Sequence, residues 1–243
     1  MPDHRRHRGA HPRDRELFAA TALPTLTRAV DDYSWLLGRD YPLDAALKLV
    51  GDRYQLLARQ RDAVSRVACS DAARTRRRAR QLGPGHVAGR ALAIDGLNAI
   101  ITLEVALGGG LGLIGRDGAR RDLASVHGTY RRVLETPRAI ELLLDGLLAC
   151  EPARVEWYLD RPVSNSGKLA SVLRQRLAER APSWTVTLLD DVDRHVSQPA
   201  RVAVSADSAV IEAAEAWFDL GGWVIRERLP RAWTLDFSAD AGT

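Results

Sequence analysis

The stretch ALAIDGLN, Ala91–Asn98, carries the strongest fold signal in the chain. Short, almost continuous apolar runs are typical of buried parallel strands, and this run ends at Asp95, with Gly96 and Asn98 directly after it. In open α/β sheets the turns that follow such strands bind ligands and metals. We therefore predict a strand over Ala91–Ile94 and a polar site after it. Helix capping by Asp95 stays open as the alternative, because Asp is a favoured N-cap residue.

Beyond a Gly- and Pro-containing break at Gln81–Arg90, short apolar runs alternate with helical stretches. This alternation predicts an α/β domain with a parallel sheet and helices on both faces. The predicted strands are Ala91–Ile94, Leu111–Ile114, Val155–Leu159, Thr185–Leu189 and Arg201–Val204, with Trp223–Ile225 as an added edge strand. The predicted helices are Leu97–Leu107, Pro137–Cys150, Gly167–Arg180 and Ser208–Leu220.

The amino-terminal third of the chain has a different pattern. Apolar residues recur at helical spacing, which predicts an all-helical domain over residues 15–82. The α/β domain is predicted over residues 90–230, with a disordered tail at 1–14 and a carboxyl-terminal tail at 231–243. The Arg-rich run Arg74–Arg80 is interpreted either as a solvated helix end or as a patch that contacts phosphate.

Composition narrows the class of protein. The 243 residues are 46% hydrophobic and 27% charged, which is ordinary for a globular domain. Apolar runs such as Ala99–Leu103 are too short to span a bilayer, and the amino terminus has no apolar secretory segment. Two distant cysteines, Cys69 and Cys150, predict reduced thiols in a cytoplasmic protein. The net charge of +4 is a weak indication of a polyanionic partner.

Acidic residues follow three of the predicted strands. Asp95, Asp160 and Asp207 each end such a strand, with Ser or Asn close by in the sequence. If the strands are parallel, these carboxylates lie at the same edge of the sheet, where Mg²⁺ or Mn²⁺ finds the oxygen ligands that it prefers. We predict a metal site there, with Asn98 and Ser205 orienting water or a carboxylate.

Other polar residues are secondary candidates for the same site. Two motif matches are rejected: Gly110–Gly115 has the spacing of a dinucleotide fingerprint but follows a helix, and the segment before Lys168 departs from a P-loop. A helix amino terminus still favours anions, so a phosphate-binding role is predicted for Ser164, Ser166 and Lys168. In the separate polar segment Gly115–Tyr130, Arg121 is a further candidate for phosphate contact. Asp122 is a candidate metal ligand, His127 a candidate acid or base, and Asp191 a reserve candidate among Asp190, Asp191 and Asp193.

Several segments together resemble a known family, the domain of unknown function 434. They cover about Leu36–Ile225 and read KLVGDRYQLLARQR, IDGLN, RDGARRD, LDRPVSNSGKLA and VSADS. The resemblance implies a helical amino-terminal part joined to a three-layer domain similar to PIN-like or NYN-like nucleases. Such domains place acids as at Asp95, Asp160 and Asp207, and their usual activity is metal-dependent cleavage of RNA. PIN domains often carry a further acid on an intervening helix, for which this sequence offers Asp122.

The function expected from the sequence is a Mg²⁺- or Mn²⁺-dependent ribonuclease, with Asp95, Asp160 and Asp207 as metal ligands. Two alternatives stay open. In the first, the same acidic site binds a metal, a nucleotide or RNA without cutting a bond. In the second, the helical segment Ala45–Ala68 recruits a protein partner or a second copy of the chain. No membrane association is expected.

Overall fold

The structure is a computed structural model that describes residues 7–124 and 128–239. Within those residues the strands are β1 (Ala91–Asp95), β2 (Gly112–Ile114), β3 (Arg120–Asp122), β4 (Arg154–Asp160), β5 (Thr185–Leu189), β6 (Val202–Val204) and β7 (Thr234–Asp236). The α-helices are α1 (Asp14–Leu17), α2 (Leu23–Leu37), α3 (Leu43–Arg53), α4 (Ala58–Val67), α5 (Asp71–Arg80), α6 (Gly96–Leu107), α7 (Thr136–Ala149), α8 (Ser166–Arg180), α9 (Val192–Val196), α10 (Ser208–Ala213) and α11 (Leu220–Arg228). No helix in this described part has the length and apolarity needed to cross a membrane.

The predicted parallel sheet is confirmed. Sheet A has the strand order β5-β4-β1-β6, and every neighbouring pair is parallel. In the centre of this sheet, Ile94 lies opposite Trp157 on one side and Val204 on the other. The run Ala91–Ile94 is almost entirely apolar because β1 is an inner strand that is covered on both faces.

The two faces of sheet A pack against different helices because side chains alternate along a strand. Leu92 and Ile94 join a core with residues of α6, α7, α8 and α11. Ala93 points to the opposite face, where the core includes apolar residues of α9 and α10 and the buried Trp217. Small residues on this second face leave room for the short α9 to pack directly on β1 and β4.

The strand order places a topological switch point beside β1. From β1 the chain builds the sheet outward through β4 to β5, and it then returns to the other side of β1 to form β6. The loops after β1 and β6 therefore leave in opposite directions and open a crevice at the carboxyl edge. Ligands of open α/β sheets bind in such crevices.

A second sheet joins the α/β part to the amino-terminal helices. Sheet B has the order β3-β2-β7, with β2 antiparallel to β3 and parallel to β7. Leu113 of β2 and the residues next to the strand ends, Leu111, Leu123 and Phe237, share one core with apolar residues of α1 to α4. The predicted strand at Leu111–Ile114 thus exists, but it belongs to this second sheet. The core of the amino-terminal helices is also completed by these residues from outside the helical part.

Two local predictions differ from the structure. Trp223–Ile225 lies in helix α11 and forms no edge strand, because Asp219 accepts a hydrogen bond from the Gly222 N–H and starts the helix. The helix predicted over Ser208–Leu220 ends at Ala213, since Trp217 leaves the helical path and bridges to Ala203 and Gln81.

The predicted tails also make specific contacts where they are described. Residues 7–14 belong to the segment predicted as disordered, yet Arg8 pairs with the buried Glu104 and Asp14 pairs with Arg59. In the predicted carboxyl-terminal tail, Thr234–Asp236 forms β7 beside β2. Both differences arise from partners that are distant in sequence, which local composition does not reveal.

Candidate active site at the carboxyl edge of sheet A

Asp95 ends β1 and, as one of the two interpretations predicts, caps the helix that follows. Its Oδ1 accepts a hydrogen bond from the Asn98 N–H at 3.1 Å, which caps helix α6. Its Oδ2 accepts one from the Ser205 hydroxyl at 3.0 Å, across the switch point. The side chain is 7% exposed. A capping residue therefore also lies in the crevice between β1 and β6.

Asn98 and Ser205 hold the loop that follows β6 against this acid. The Asn98 Oδ1 accepts a hydrogen bond from the Ala206 N–H at 3.0 Å. The Ser205 Oγ accepts one from the Asp207 N–H at 3.1 Å while its own proton goes to Asp95. Asp207 is exposed and caps α10 by accepting from the Ala209 N–H at 2.7 Å. Asn98 and Ser205, which are predicted to orient water or a carboxylate, therefore orient the Asp95 carboxylate and the loop after β6.

The buried Asp95 carboxyl is affected by the charges of two other acids. Burial raises the pKa of Asp95 to about 7, with further increases from the charges of Asp160 and Asp193. The two hydrogen bonds to Asp95 act in the opposite direction. Burial also raises the pKa of Asp160 above its ordinary value. A carboxylate with so high a pKa lacks a compensating cation.

Asp193 is the acid that sequence reasoning passed over. Desolvation raises the pKa of its carboxyl, and the charges of Asp207, Asp160 and Asp191 raise it further. Asp193 is itself exposed, and its charge also acts on Asp95. Asp191, the reserve candidate, is exposed and caps α9 through the Arg194 N–H. Position in the first turn of a helix at the end of β5 is the sequence signal that favours Asp193.

We call Asp95, Asp160, Asp193 and Asp207 the acid cluster. None of the four forms an ion pair with an Arg, Lys or His within the described residues, and the nearby Arg161 pairs with Asp190 instead. Among residues 7–124 and 128–239, no group of three or more His, Cys, Asp or Glu side chains is arranged to hold a metal ion. The acid cluster is therefore a group of carboxylates without cationic partners, and its side chains do not form a complete set of metal ligands.

The residues predicted to hold phosphate lie at the start of α8, which follows β4 at the same edge. Ser164 and Lys168 are exposed, whereas Ser166 is buried with 2% of its surface accessible. Asn165 caps the helix in the left-handed region at φ 69° and donates from its Nδ2 to the Tyr130 carbonyl. The free N–H groups of this helix end and Lys168 are suited to an anion.

Arg121 and Asp122 lie elsewhere, in β3 of sheet B. The Arg121 guanidinium is buried, forms a bidentate pair with Asp117 at 2.8 and 2.7 Å, and donates from Nε to the Ala206 carbonyl. It stabilises the loop after β6 and has no free edge for a phosphate.

Asp122 accepts hydrogen bonds from Thr102 and Ala124. Thr102 lies seven residues along α6 from Asp95, about 10 Å at 1.5 Å per residue. Asp122 is therefore remote from the acid cluster, and His127 lies outside the described residues.

The Arg-rich run Arg74–Arg80 is only partly exposed to solvent, and several of its side chains bind other parts of the protein. Arg77 pairs with Glu212 at 2.7 Å and with the buried Asp117 at 2.9 Å. Arg80 donates to the carbonyl groups of Glu212 and Ala214. These contacts fasten α5 to α10, so much of the run has a structural role.

The fold and the site define a mixed α/β protein with an acid cluster at the switch point of a parallel sheet. Within that class, the chain belongs to the family described as "Domain of unknown function (DUF5616)", whose model matches residues 84–223, more than half of the chain. The model described as "Protein of unknown function (DUF434)" matches residues 25–80, which confirms the family resemblance found in the sequence. No PIN or NYN family is among these matches.

One curated relative covers both parts of the chain. It is "Uncharacterized protein MJ0935" of Methanocaldococcus jannaschii, which is 30% identical over 191 residues. The match spans 78% of this chain and 90% of the relative. No solved structure matches the chain.

Proposed function

We propose that the protein is a divalent-metal-dependent ribonuclease that hydrolyses phosphodiester bonds at the acid cluster. One observation carries the proposal: the Asp95 carboxylate is buried at the switch point of a parallel sheet without an ion-pair partner among the described residues, and the charges of Asp160 and Asp193 raise its pKa further. A buried carboxylate without a cationic partner is costly for folding, and such groups are concentrated at functional sites. The resemblance to PIN-like and NYN-like nuclease domains supports RNA as the substrate.

The donor set fits a hard divalent cation. Carboxylate and hydroxyl oxygens are the ligands that Mg²⁺ and Mn²⁺ prefer, and Mg²⁺ commonly binds through one or two carboxylates while keeping several waters. A closed group of three protein ligands, which the described residues lack, is not needed for such binding. Asp95 and Asp160 would hold the ion, with Asp193 and Asp207 nearby. When bound, the ion supplies charge neutralisation and an activated water.

The chain's own residues prepare the rest of the site. Asn98 N–H and the Ser205 hydroxyl fix both oxygens of Asp95, so this carboxylate needs no reorganisation on ligand binding. The exposed start of α8, with Ser164 and Lys168, is available at the same edge to hold a substrate phosphate. The buried Ser166 is suited to a structural role at this helix end.

A second candidate function is binding without cleavage. It is consistent with the capping roles of Asp95 and Asp207, because these roles give both residues a function in the fold that does not require cleavage. A protein partner or a second copy of the chain is the remaining alternative. The amino-terminal helices and the loop after α2 expose the large apolar side chains Trp35, Tyr41, Leu43, Leu49 and Leu57, which suits such contacts.

The substitution Asp95→Asn separates these functions. It removes one charge, keeps the shape and retains a residue that caps helices well. For the nuclease we expect Mn²⁺- or Mg²⁺-dependent cleavage of a mixed RNA pool to fall by about 100-fold or more. The measurement is product formation on a sequencing gel, with EDTA as the metal-free arm.

The matched control is Asp190→Asn, which changes an exposed acid that follows β5 at the same edge and pairs with Arg161. Cleavage by this variant should stay within twofold of the wild type. Equal cleavage by wild type and Asp95→Asn would contradict the nuclease. Mn²⁺ binding by a wild type that leaves all RNA intact would favour the binding module.

A further inference from the structure

A cavity in the amino-terminal helical part lies outside the site described above. It occupies about 650 Å³ between the carboxyl-terminal end of α2 and the start of α5. The two helix ends are in contact there, since a Cβ added to Gly38 would lie 3.6 Å from the Cβ of Ser70. This volume is within the range of small-molecule sites, so the cavity accommodates a ligand of nucleotide size.

The start of α5 forms one wall of the cavity and is suited to an anion. Ser70 caps the helix by accepting a hydrogen bond from the Ala73 N–H at 3.2 Å. The N–H groups of Asp71 and Ala72 have no intrahelical acceptor, and both residues line the cavity. The helix dipole adds partial positive charge at this end.

A second observation points to a missing acceptor at the same place. The hydroxyl of Ser34 is buried, finds no hydrogen-bond partner within the described residues, and belongs to a residue that lines this cavity. Ser34 is 3% exposed. A buried donor without an acceptor costs free energy, and a phosphate oxygen would satisfy it.

Two of the arginines that line the cavity have acidic partners, and a third, Arg39, is held by Trp35, to whose carbonyl it donates a hydrogen bond. Arg116 pairs with Asp71 at 2.7 Å, and Arg76 pairs with Glu212 at 2.8 Å. Arg39 forms no ion pair within residues 7–124 and 128–239, and its guanidinium carbon lies 3.4 Å from the centre of the Trp35 ring. Asp31, Asp40 and Asp71 also line the cavity and oppose an anion, and the charge of Asp71 is offset by its pair with Arg116.

Trp35 identifies the class of ligand. Its side chain is 55% exposed although tryptophan is normally well buried. An exposed indole stacked with a guanidinium provides a flat surface on which a nucleic-acid base stacks. A phosphate site beside such a surface matches one nucleotide. We propose that this cavity binds a nucleotide of single-stranded RNA, with its phosphate at the start of α5 and its base on the Trp35–Arg39 pair.

This RNA site goes beyond the acid cluster and is connected to it through α10. That helix begins next to Asp207, and its Glu212 pairs with Arg76, which lines the cavity. The inference shares with the proposed function only the expectation that RNA is the ligand. Binding at the cavity requires neither a metal nor cleavage, so the two proposals are tested separately.

The test measures binding of a labelled eight-nucleotide RNA by fluorescence anisotropy, in EDTA, with Asp95→Asn in every protein to prevent cleavage. In this background, Trp35→Ala and Arg39→Gln should each weaken binding about tenfold, because one stacking or charged contact is lost. Ser34→Ala should weaken it a few-fold while leaving thermal stability equal or higher, since an unsatisfied hydroxyl is removed. Asp40→Asn should tighten binding, because an opposing charge disappears.

Matched controls on the same helical part are Tyr41→Ala and Arg53→Gln. Tyr41 is 50% exposed, and Arg53 lies over the Tyr54 ring as Arg39 lies over Trp35. Both controls should bind RNA within twofold of the background protein. An abasic strand of equal length should bind about tenfold more weakly than RNA.

Three results would overturn the inference. These are no detectable RNA binding in EDTA, an equal loss of binding in the control variants, or equal affinity for RNA and the abasic strand. If binding is absent in EDTA but Mn²⁺-dependent cleavage is intact, the cavity proposal fails and the nuclease proposal stands. If cleavage is absent but the cavity variants lose binding, the reverse holds.

Discussion

At the residue scale, Asp95 combines a structural and a chemical role at one position. It ends the central strand, caps α6 and lies 3.0 Å from the Ser205 hydroxyl across the crevice. Burial and the neighbouring acids raise its pKa from 3.8 to about 7. Between about pH 4 and pH 7, the Asp95 carboxyl is therefore protonated in the folded state and ionised in the unfolded state.

The metal-free protein should lose stability as the pH rises through this window. Because the folded-state pKa of Asp95 lies above the unfolded value, its unfavourable effect is absent below pH 4 and complete above about pH 7. Asp95→Asn removes this effect. In EDTA, the stability of the variant relative to wild type should increase by on the order of 3 kcal/mol between pH 4 and pH 8. Urea unfolding at several pH values measures this difference.

Asp190→Asn serves again as the control, since an exposed ion pair contributes little to stability. Its stability difference from the wild type should hardly change with pH. A pH-independent difference for Asp95→Asn, or a loss of stability at pH 8, would show that Asp95 acts only as a helix cap. Added Mn²⁺ should stabilise the wild type more than Asp95→Asn if the ion binds the acid cluster.

At the element scale, helix α6 links the acid cluster to a buried polar network at its other end. Glu104 is fully buried and accepts hydrogen bonds from Tyr130 and Thr136, while Arg8 donates to its Oε2 at 2.6 Å. Burial raises the pKa of Glu104, and Arg8 opposes that increase. Residues 7–14 therefore supply the counter-charge for a carboxylate in the core.

The substitution Arg8→Gln should destabilise the protein by about 2–4 kcal/mol at neutral pH, because it leaves a buried carboxylate without its cation. The loss should grow with increasing pH, since protonation of Glu104 relieves it at low pH. Combining it with Glu104→Gln should recover at least half of the loss. Thermal and urea unfolding of the single and double variants measure this coupling.

Arg13→Gln is the matched control, because Arg13 forms an exposed ion pair with Glu16 in the same segment. It should leave unfolding unchanged within error. Equal unfolding of Arg8→Gln and the control would mean that residues 7–14 do not stabilise the core.

At the scale of the whole molecule, the two sheets and the helices form cores that cross the sequence division near residue 82. Leu111, Leu113, Leu123 and Phe237 from the carboxyl-terminal two thirds complete the core of α1 to α4. Arg77 adds ion pairs to Glu212 and Asp117 across the same boundary. The helices α1 to α4 therefore pack on sheet B and share a hydrophobic core with it.

A fragment of residues 1–82 should therefore fail to fold cooperatively. Without Leu113, which is fully buried, and its neighbours in sheet B, the apolar faces of α2 and α4 stay exposed to water. Circular dichroism during heating should show a broad, shallow change for the fragment and a sharp transition for the full chain.

In the full chain, Leu113→Ala should cost about 2–5 kcal/mol. Leu49→Ala, which changes a leucine that is 57% exposed, should have little effect. Cooperative unfolding of the fragment would show that residues 1–82 are an independent domain.

The sequence by itself determined the features that depend on neighbouring residues. The apolar run before Asp95 predicts a central parallel strand, and alternating runs locate β1, β4, β5 and β6. The acids at the ends of β1, β4 and β6 are readable because a strand and its next residue are adjacent in the chain. Parallel pairing then brings their carboxyl ends to one edge.

Only the tertiary structure decided which groups meet across long sequence separations. It brought the charges of Asp160 and Asp193 close to Asp95, buried Arg121 against Asp117, and paired Arg8 with Glu104. It also created the cavity beside Trp35 between the ends of α2 and α5. The burial of a side chain and its ion pairs depend on residues from many elements of the fold. An isolated stretch of sequence does not contain those residues, so it does not determine these contacts.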